Sequence, residues 1–104
     1  MTEEMKERWD EIPYEGLVRL ARIYALGNEK HKQNWRKRNV SIEYDLNKAI
    51  RHIYKFLSGS KEEDNIAHAC WRLMAAMYEQ NKILPLEESF GYKILEGPKC
   101  KLEE

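Results

Sequence analysis

The sequence has few cysteines and no long apolar run, and each absence excludes a class of protein. Two cysteines occur in 104 residues, Cys70 in an apolar segment and Cys100 in a polar one. Their number and spacing fit neither a disulfide framework nor a cysteine-based zinc site, which indicates a reducing, cytoplasmic environment. No apolar stretch approaches the ~20 residues of a membrane span, and the chain starts with acidic rather than basic residues. We therefore expect a cytoplasmic protein without a membrane partner.

The chain also lacks an excess of charge of either sign. Lys and Arg together number 18, as do Asp and Glu, which gives a net charge of zero. A nucleic-acid polymer is therefore not the expected partner, although local groups of cations can still bind phosphate. At this length the chain forms one domain that buries roughly two thirds of its unfolded surface, so a partner chain would enlarge a small core.

Helical spacing dominates the apolar pattern, and no segment alternates long enough to predict a strand. We expect an all-α fold, a small helical bundle with three long helices and one or two short ones. Thr2 can cap a short first helix that carries Trp9, and Pro13, favoured at a first helical position, begins the first long helix. That helix is expected to end at Gly27, and the basic, amide-rich residues 28–39 are expected to form a loop.

Capping signals bound the other two long helices. Ser41 can cap the second helix, which closes at Ser58 and Gly59. Ser60 can cap the third helix through a capping box with Glu63, in which the hydroxyl and the carboxylate each accept a free backbone N–H.

Each long helix has an apolar face that we expect to be buried. The expected buried residues are Leu17, Leu20, Ala21, Tyr24 and Leu26 on the first helix, Leu46, Ala49, Ile50, Ile53 and Leu57 on the second, and Ile66, Ala69, Cys70, Leu73, Ala76 and Met77 on the third. Residues 1–82 make up this helical domain, and residues 83–104 are a tail that can carry a short helix. Several large side chains find no cover within one chain, which predicts a homo-oligomer. They are Tyr54, Trp71, Met74, Tyr78 and Phe90.

The basic segment after Gly27 is the first candidate ligand contact. Its cations are Lys30, Lys32, Arg36, Lys37 and Arg38. A run of this kind is usually a solvated loop. Here Asn34 and Trp35 interrupt it, so a base or ribose can stack on the indole and hydrogen-bond to the amide while Lys30 and Lys37 contact phosphate. The alternative is that Trp35 fills the core.

The second and third long helices supply further candidates. Arg51 has a planar guanidinium that pairs with phosphate, and His52 can contact substrate or metal or be a hydrogen-bonded structural residue. Asp64 lies one turn before His68, so both face one side of the third helix, and Asp64 or Glu63 can hold a metal ion. The alternative for these acids is a favourable position near the positive end of the helix dipole.

The order and spacing of these clusters resemble the N-terminal domain family of phage dATP/dGTP diphosphohydrolases, which are grouped with the MazG-like nucleotide pyrophosphohydrolases. The matching elements are Pro13, Leu17, Leu20-Ala21, Gly27 with Lys30 and His31, Asn34-Trp35, Ala49 with Arg51-His52, and Glu63-Asp64 followed by Ala67-His68-Ala69. The resemblance covers about two thirds of the chain. It implies a MazG-like bundle completed by oligomerisation, and a location in the host-cell cytoplasm if the chain is phage-encoded.

The resemblance also implies Mg²⁺-dependent hydrolysis of purine (deoxy)nucleoside triphosphates. In this interpretation Glu63 and Asp64 are catalytic and, together with Glu15, hold Mg²⁺. The implied ligand-binding residues are Lys30, Asn34, Trp35, Lys37, Arg51, His52 and His68. Two departures leave hydrolysis open: Arg22 stands where the family usually carries Glu, and the Glu-x-x-Glu and Glu-x-x-Asp signature of classical MazG-like enzymes is absent from the expected helices. The alternative is a non-catalytic nucleotide sponge that sequesters a nucleotide second messenger of bacterial anti-phage defence.

Overall fold

The computed structural model describes residues 6–31 and 35–84, with the side chains of residues 6–27 and 35–84. These residues form three long helices: α1 (Tyr14–His31), α2 (Ile42–Leu57) and α3 (Asn65–Ile83). Two short 3₁₀ turns, Trp9–Glu11 and Trp35–Lys37, precede α1 and α2. The described residues contain no strand, which confirms the predicted all-α bundle. None of their helices is long and apolar enough to cross a membrane.

Local sequence signals account for most helix boundaries. The carbonyl of Pro13 accepts the first α1 hydrogen bond, from the backbone N–H of Leu17 at 3.2 Å. Ser41 caps α2 as predicted, because its Oγ accepts the N–H of Tyr44 at 3.1 Å. Gly59 has φ +92°, a left-handed conformation that ends α2 and that other residues rarely adopt.

Two predicted boundaries were wrong. First, α1 continues through Gly27 to His31, because one glycine costs only about 1 kcal/mol in a helix and no proline follows it there. Second, α3 begins at Asn65 rather than after Ser60. Its N-cap is Asp64, whose Oδ1 accepts the N–H of Ala67 at 3.3 Å.

Two further predictions lie outside the described residues. These are the cap at Thr2 and the short helix of the tail. Of the tail residues, Ile83, which ends α3, and its C-cap Leu84 are described.

α2 and α3 form an antiparallel hairpin, and α1 packs on α3. The antiparallel order follows from three side-chain contacts that join the helices and the loop between them: Asp45 with Arg72, His52 with Asn65, and Lys55 with Glu63. Among the residues whose side chains are described, the buried apolar ones are small apart from one isoleucine, which lets the helices approach closely. They are Ile23, Ala49, Ala67, Ala69, Ala75 and Ala76.

The large apolar side chains of the hairpin face outward, which corrects most of the predicted buried set. Ala49, Ala69 and Ala76 are buried as predicted, but on α1 the buried residue is Ile23, and Leu17 and Leu26 are exposed. On the hairpin, the large residues of the predicted buried set that are exposed are Leu46, Ile50, Ile53 and Leu57 of α2 and Ile66, Leu73 and Met77 of α3. We call these seven residues the outer apolar face.

The two rows of the outer apolar face lie on one side of the hairpin. At 100° per residue, each row is rotated about its helix axis by roughly a quarter turn from the residues that contact the other helix. This rotation has the same sense in both helices when each is viewed along its own chain direction. Asp45 contacts Arg72 and His52 contacts Asn65 across the two helices, and the buried residues Ala49, Ala69 and Ala76 lie at the same rotational positions. Since the helices are antiparallel, equal rotations bring both rows to the same side.

A buried carboxylate ties three segments together. Asp45 has no exposed surface, and it accepts hydrogen bonds from Arg38 at 2.9 and 3.1 Å and from Arg72 at 3.0 Å. Arg38 also donates from Nε to the carbonyl of Trp35 at 3.0 Å. The ion pairs therefore fix the 3₁₀ turn before α2 against both helices of the hairpin.

We expect Asp45→Asn to destabilise the protein by about 3–5 kcal/mol, because the amide has nearly the shape of the carboxylate but leaves two guanidinium groups without a counter-charge. Urea unfolding at pH 7 measures the change. The control is Glu43→Gln, an exposed substitution on the same helix, which should change the free energy of unfolding by no more than about 0.5 kcal/mol. Similar effects from both substitutions would contradict the central role of Asp45.

Candidate functional site

Two histidines from different helices stack where the hairpin closes. His52 lies on α2 and His68 on α3, both half-buried. Their ring centroids are 4.7 Å apart and the ring planes differ by 12°. His68 has a lowered pKa, first because burial disfavours its charged form and second because His52 is close. The neutral form of His68 is therefore favoured, and in that form its ring can act as a base or ligand.

A buried amide sets the tautomer of His52. The Oδ1 atom of Asn65, a residue only 2% exposed, lies 2.8 Å from His52 Nδ1. Because an amide oxygen can only accept, Nδ1 carries a proton, and in the neutral tautomer the lone pair is on Nε2. The Nδ2 group of Asn65 is buried and has no hydrogen-bond partner among the described residues.

Glu63 completes this group from the loop before α3. Its Oε2 accepts a hydrogen bond from Lys55 Nζ at 2.8 Å, and its Oε1 lies 3.3 Å from His68 Nε2. The Lys55 hydrogen bond is the main reason that the pKa of Glu63 is lowered. One ligand atom each from His52, Glu63 and His68 lie within 4.8 Å of one another. We call these three residues the His–Glu–His cluster; it is the group of possible metal ligands that the described residues bring together.

Asp64 is engaged elsewhere. Arg19 of α1 donates from Nε to Oδ2 at 2.8 Å and from Nη2 to Oδ1 at 2.5 Å, while Oδ1 also caps α3. Arg19 is the main reason that the pKa of Asp64 is lowered. This bidentate pair joins α1 to the start of α3, and both carboxylate oxygens are used in it.

The residues predicted for Mg²⁺ do not form an oxygen-rich site as placed. Mg²⁺ prefers several oxygen ligands in octahedral geometry. Asp64 would have to exchange Arg19 for the ion, Glu63 has Lys55 and His68 as partners, and Glu15 is exposed in the first turn of α1. The Mg²⁺ site therefore stays a prediction.

A row of cations runs along α2 next to the His–Glu–His cluster. Lys48, Arg51 and Lys55 are three and four residues apart, so they share one side of the helix. Arg51 is exposed, and Lys48 and Lys55 are half-buried. We call these residues the α2 cationic row. Tyr44 lies at its start, with Lys48 Nζ 5.5 Å from the ring centroid and the Arg72 guanidinium 5.6 Å from it.

Trp35 packs inside the fold. Its ring lies 5.0 Å from Tyr78, 5.7 Å from Tyr24 and 6.3 Å from Trp71, mostly edge to face. The Arg36 guanidinium lies 5.5 Å from the same ring. This placement fits the interpretation that Trp35 fills the core, and base stacking on it stays a prediction.

The other predicted ligand-binding residues of the basic segment are partly outside the described residues. This holds for Asn34 and for the side chain of Lys30, whereas Lys37 is exposed in the second 3₁₀ turn. Their contact with ligand stays a prediction.

The family model for the N-terminal domain of dATP/dGTP diphosphohydrolases matches residues 2–85. The chain belongs to this family. No curated protein and no solved structure matches it. This match confirms the resemblance expected from the motifs. The family is related to nucleotides, and in this chain the α2 cationic row adjoins the His–Glu–His cluster through Lys55 and Glu63.

Sequence reasoning about this diphosphohydrolase-family domain missed three residues of the site. Asn65 was given no role, although it lies three residues before His68. Lys55 lies three residues after His52, within reach of an acid in the following loop. Asp45 lies seven residues before His52 and so shares its side of α2, a signal that this side is not apolar.

The Arg19–Asp64 pair predicts a pH dependence. Because the folded-state pKa of Asp64 is lowered, the pair stabilises the fold above the unfolded pKa of about 3.9, and this contribution is lost as pH falls through the folded pKa. We expect Arg19→Met to destabilise the protein slightly at pH 7, because Arg19 is half exposed and solvent screens the pair, and by less at pH 3.

Urea unfolding of both proteins at pH 7, 5 and 3 measures this difference. Arg22→Met, the same substitution at an exposed α1 position, is the control and should show no such trend. A difference between wild type and Arg19→Met that stays constant with pH would show that Arg19 acts through its aliphatic stem.

Proposed function

We propose that this domain binds purine deoxynucleoside triphosphates, with the phosphates along the α2 cationic row. The observation that carries the proposal is Arg51, whose exposed guanidinium makes no ion pair with the described residues while it stands between Lys48 and Lys55. A planar guanidinium pairs bidentately with phosphate oxygens, and flanking ammonium groups add charge without fixed geometry. The purine class comes from the family to which the chain belongs.

The contacts at the start of the row support one orientation for the nucleotide. Arg72 lies between Tyr44 and the rings that pack around Trp35. Its guanidinium is 5.6 Å from the Tyr44 ring and 4.3 Å from the Trp71 ring. We therefore place the base towards the basic segment with Lys30, Asn34, Trp35 and Lys37. The phosphates then extend towards Lys55 and the His–Glu–His cluster.

Two outcomes follow for a bound nucleotide, and they define two candidate functions. The first is Mg²⁺-dependent pyrophosphohydrolysis, with Glu63 and Asp64 as the proposed acids. The second is sequestration without hydrolysis, as in a sponge for a nucleotide second messenger. The pairing of both Asp64 oxygens with Arg19 favours the second, because it leaves this acid no free oxygen for an ion. Incubation with dGTP and dATP plus Mg²⁺, followed by separation of products, distinguishes hydrolysis from binding alone.

For phosphate recognition, we expect Arg51→Lys to weaken dGTP binding about tenfold, roughly 1.4 kcal/mol, because the charge is kept and the planar fork is lost. Isothermal titration calorimetry measures the affinity. Two controls bracket the effect: Arg8→Lys is the same substitution at a distant exposed site, and Lys61→Ala removes a nearby surface charge. Equal losses in all three variants would point to general electrostatics instead of a specific contact.

We also propose that a second copy of the chain covers the outer apolar face. Single exposed apolar residues are normal on a protein surface, but seven large ones on one side of a hairpin form a patch of the kind that marks an interface. Most of the buried apolar residues in the described part of the chain, by contrast, are alanines. Trp71 and Tyr78 were expected to find no cover within one chain, but both rings pack against Trp35. Tyr54 and Met74 are exposed as expected, and Phe90 lies outside the described residues.

If a second copy covers this face, Ile53→Glu should dissociate the assembly to single chains, because it places a charge in the middle of the α2 row. Light scattering at micromolar concentration gives the mass, and circular dichroism checks that the helices remain. Ile12→Glu is the matched control, since Ile12 is exposed to a similar degree but lies before α1. A single-chain mass for the unmodified protein would rule the assembly out.

A further inference from the structure

We propose that His52, Glu63 and His68 bind Zn²⁺ or a chemically similar divalent transition-metal ion. The site supplies two imidazole nitrogens and one carboxylate oxygen, from α2, the connecting loop and α3. Three protein ligands of this kind, with a further position open to solvent or substrate, are typical of catalytic zinc sites. The proposal goes beyond nucleotide binding and does not depend on it.

The distances support chelation. Two ligands that each lie about 2.0–2.1 Å from a tetrahedral ion are about 3.3 Å apart. His68 Nε2 and Glu63 Oε1 are separated by 3.3 Å, so this pair is already at the spacing that one ion requires. The His52 ring stacks on His68 at 4.7 Å, which brings the third ligand into the same small volume.

The neighbours of the three ligands orient them. Metal-bound histidines usually donate their other ring N–H to a carbonyl or carboxylate. His52 Nδ1 donates to the buried Oδ1 of Asn65 at 2.8 Å, which directs Nε2 towards ligation. Lys55 donates a hydrogen bond to Oε2 of Glu63, so Oε1 is left as the single ligand atom beside His68. The buried Nδ2 of Asn65, which has no partner among the described residues, is a further donor at this point.

The donor set distinguishes among ions. Mg²⁺ and Ca²⁺ take six or more oxygen ligands, whereas imidazole nitrogen suits Zn²⁺ and similar ions. A competing explanation is an ion pair between Glu63 and His68 next to a structural hydrogen bond between His52 and Asn65. That explanation predicts no metal uptake, so direct titration separates the two.

The experiment uses the full chain, treated with chelator and without nucleotide, and titrates in Zn²⁺ or Mg²⁺ by calorimetry. We expect one Zn²⁺ per chain and no Mg²⁺ uptake at the same concentrations. His52→Gln, His68→Gln and Glu63→Gln should each weaken Zn²⁺ binding at least tenfold. His31→Gln, the same substitution at the third histidine, should not.

Several results would overturn the proposal. They are the absence of Zn²⁺ uptake, uptake that the three variants do not weaken, equal weakening by His31→Gln, and loss of uptake in Cys70→Ser, the exposed cysteine. If a histidine variant loses its helical circular dichroism, Glu63→Gln still tests the site, because Glu63 lies in the loop. Failure here is distinguishable from failure of nucleotide binding, since Arg51→Lys should take up Zn²⁺ as the unmodified chain does.

Discussion

The carboxylate of Asp45 fixes how α2 is rotated against α3. Two arginines surround it, Arg38 from the preceding turn and Arg72 from α3, and a carboxylate without exposed surface is stable only with such partners. Once Asp45 faces α3, the helical repeat brings Ala49 and His52 to the same side. The position of His52 against His68 is therefore a consequence of a charge seven residues away.

The same rotation explains why the apolar pattern of α2 was misread. Helical periodicity correctly identified a single apolar side of this helix with Leu46, Ile50 and Ile53, and Ser41 and Gly59 bounded it as predicted. Periodicity shows which residues share a side, but it does not show what covers that side. In a one-chain bundle the apolar side should face the core. Here Asp45 takes that place, and the apolar side faces outward.

Tertiary pairing likewise decided where α3 begins. Ser60 and Asp64 are both good N-caps by residue type, so local sequence could not choose between them. Arg19 lies 45 residues from Asp64 in sequence, yet their bidentate pair adds to the capping bond and favours the later start. The loop before Asp64 is then free to carry Glu63 to Lys55 and His68. Sequence reasoning therefore named Glu63, His52 and His68 but could not see the partners that orient them.

The cationic residues and the apolar residues of α2 lie on opposite sides of the hairpin. Lys48, Arg51 and Lys55 lie roughly half a turn around α2 from Leu46, Ile50 and Ile53, because the mean directions of the two sets differ by about 165° at 100° per residue. A second chain on the outer apolar face would thus leave the cationic row and the His–Glu–His cluster open. In the proposed arrangement, assembly and ligand binding depend on different sides of the same two helices, so a change on one side need not disturb the other.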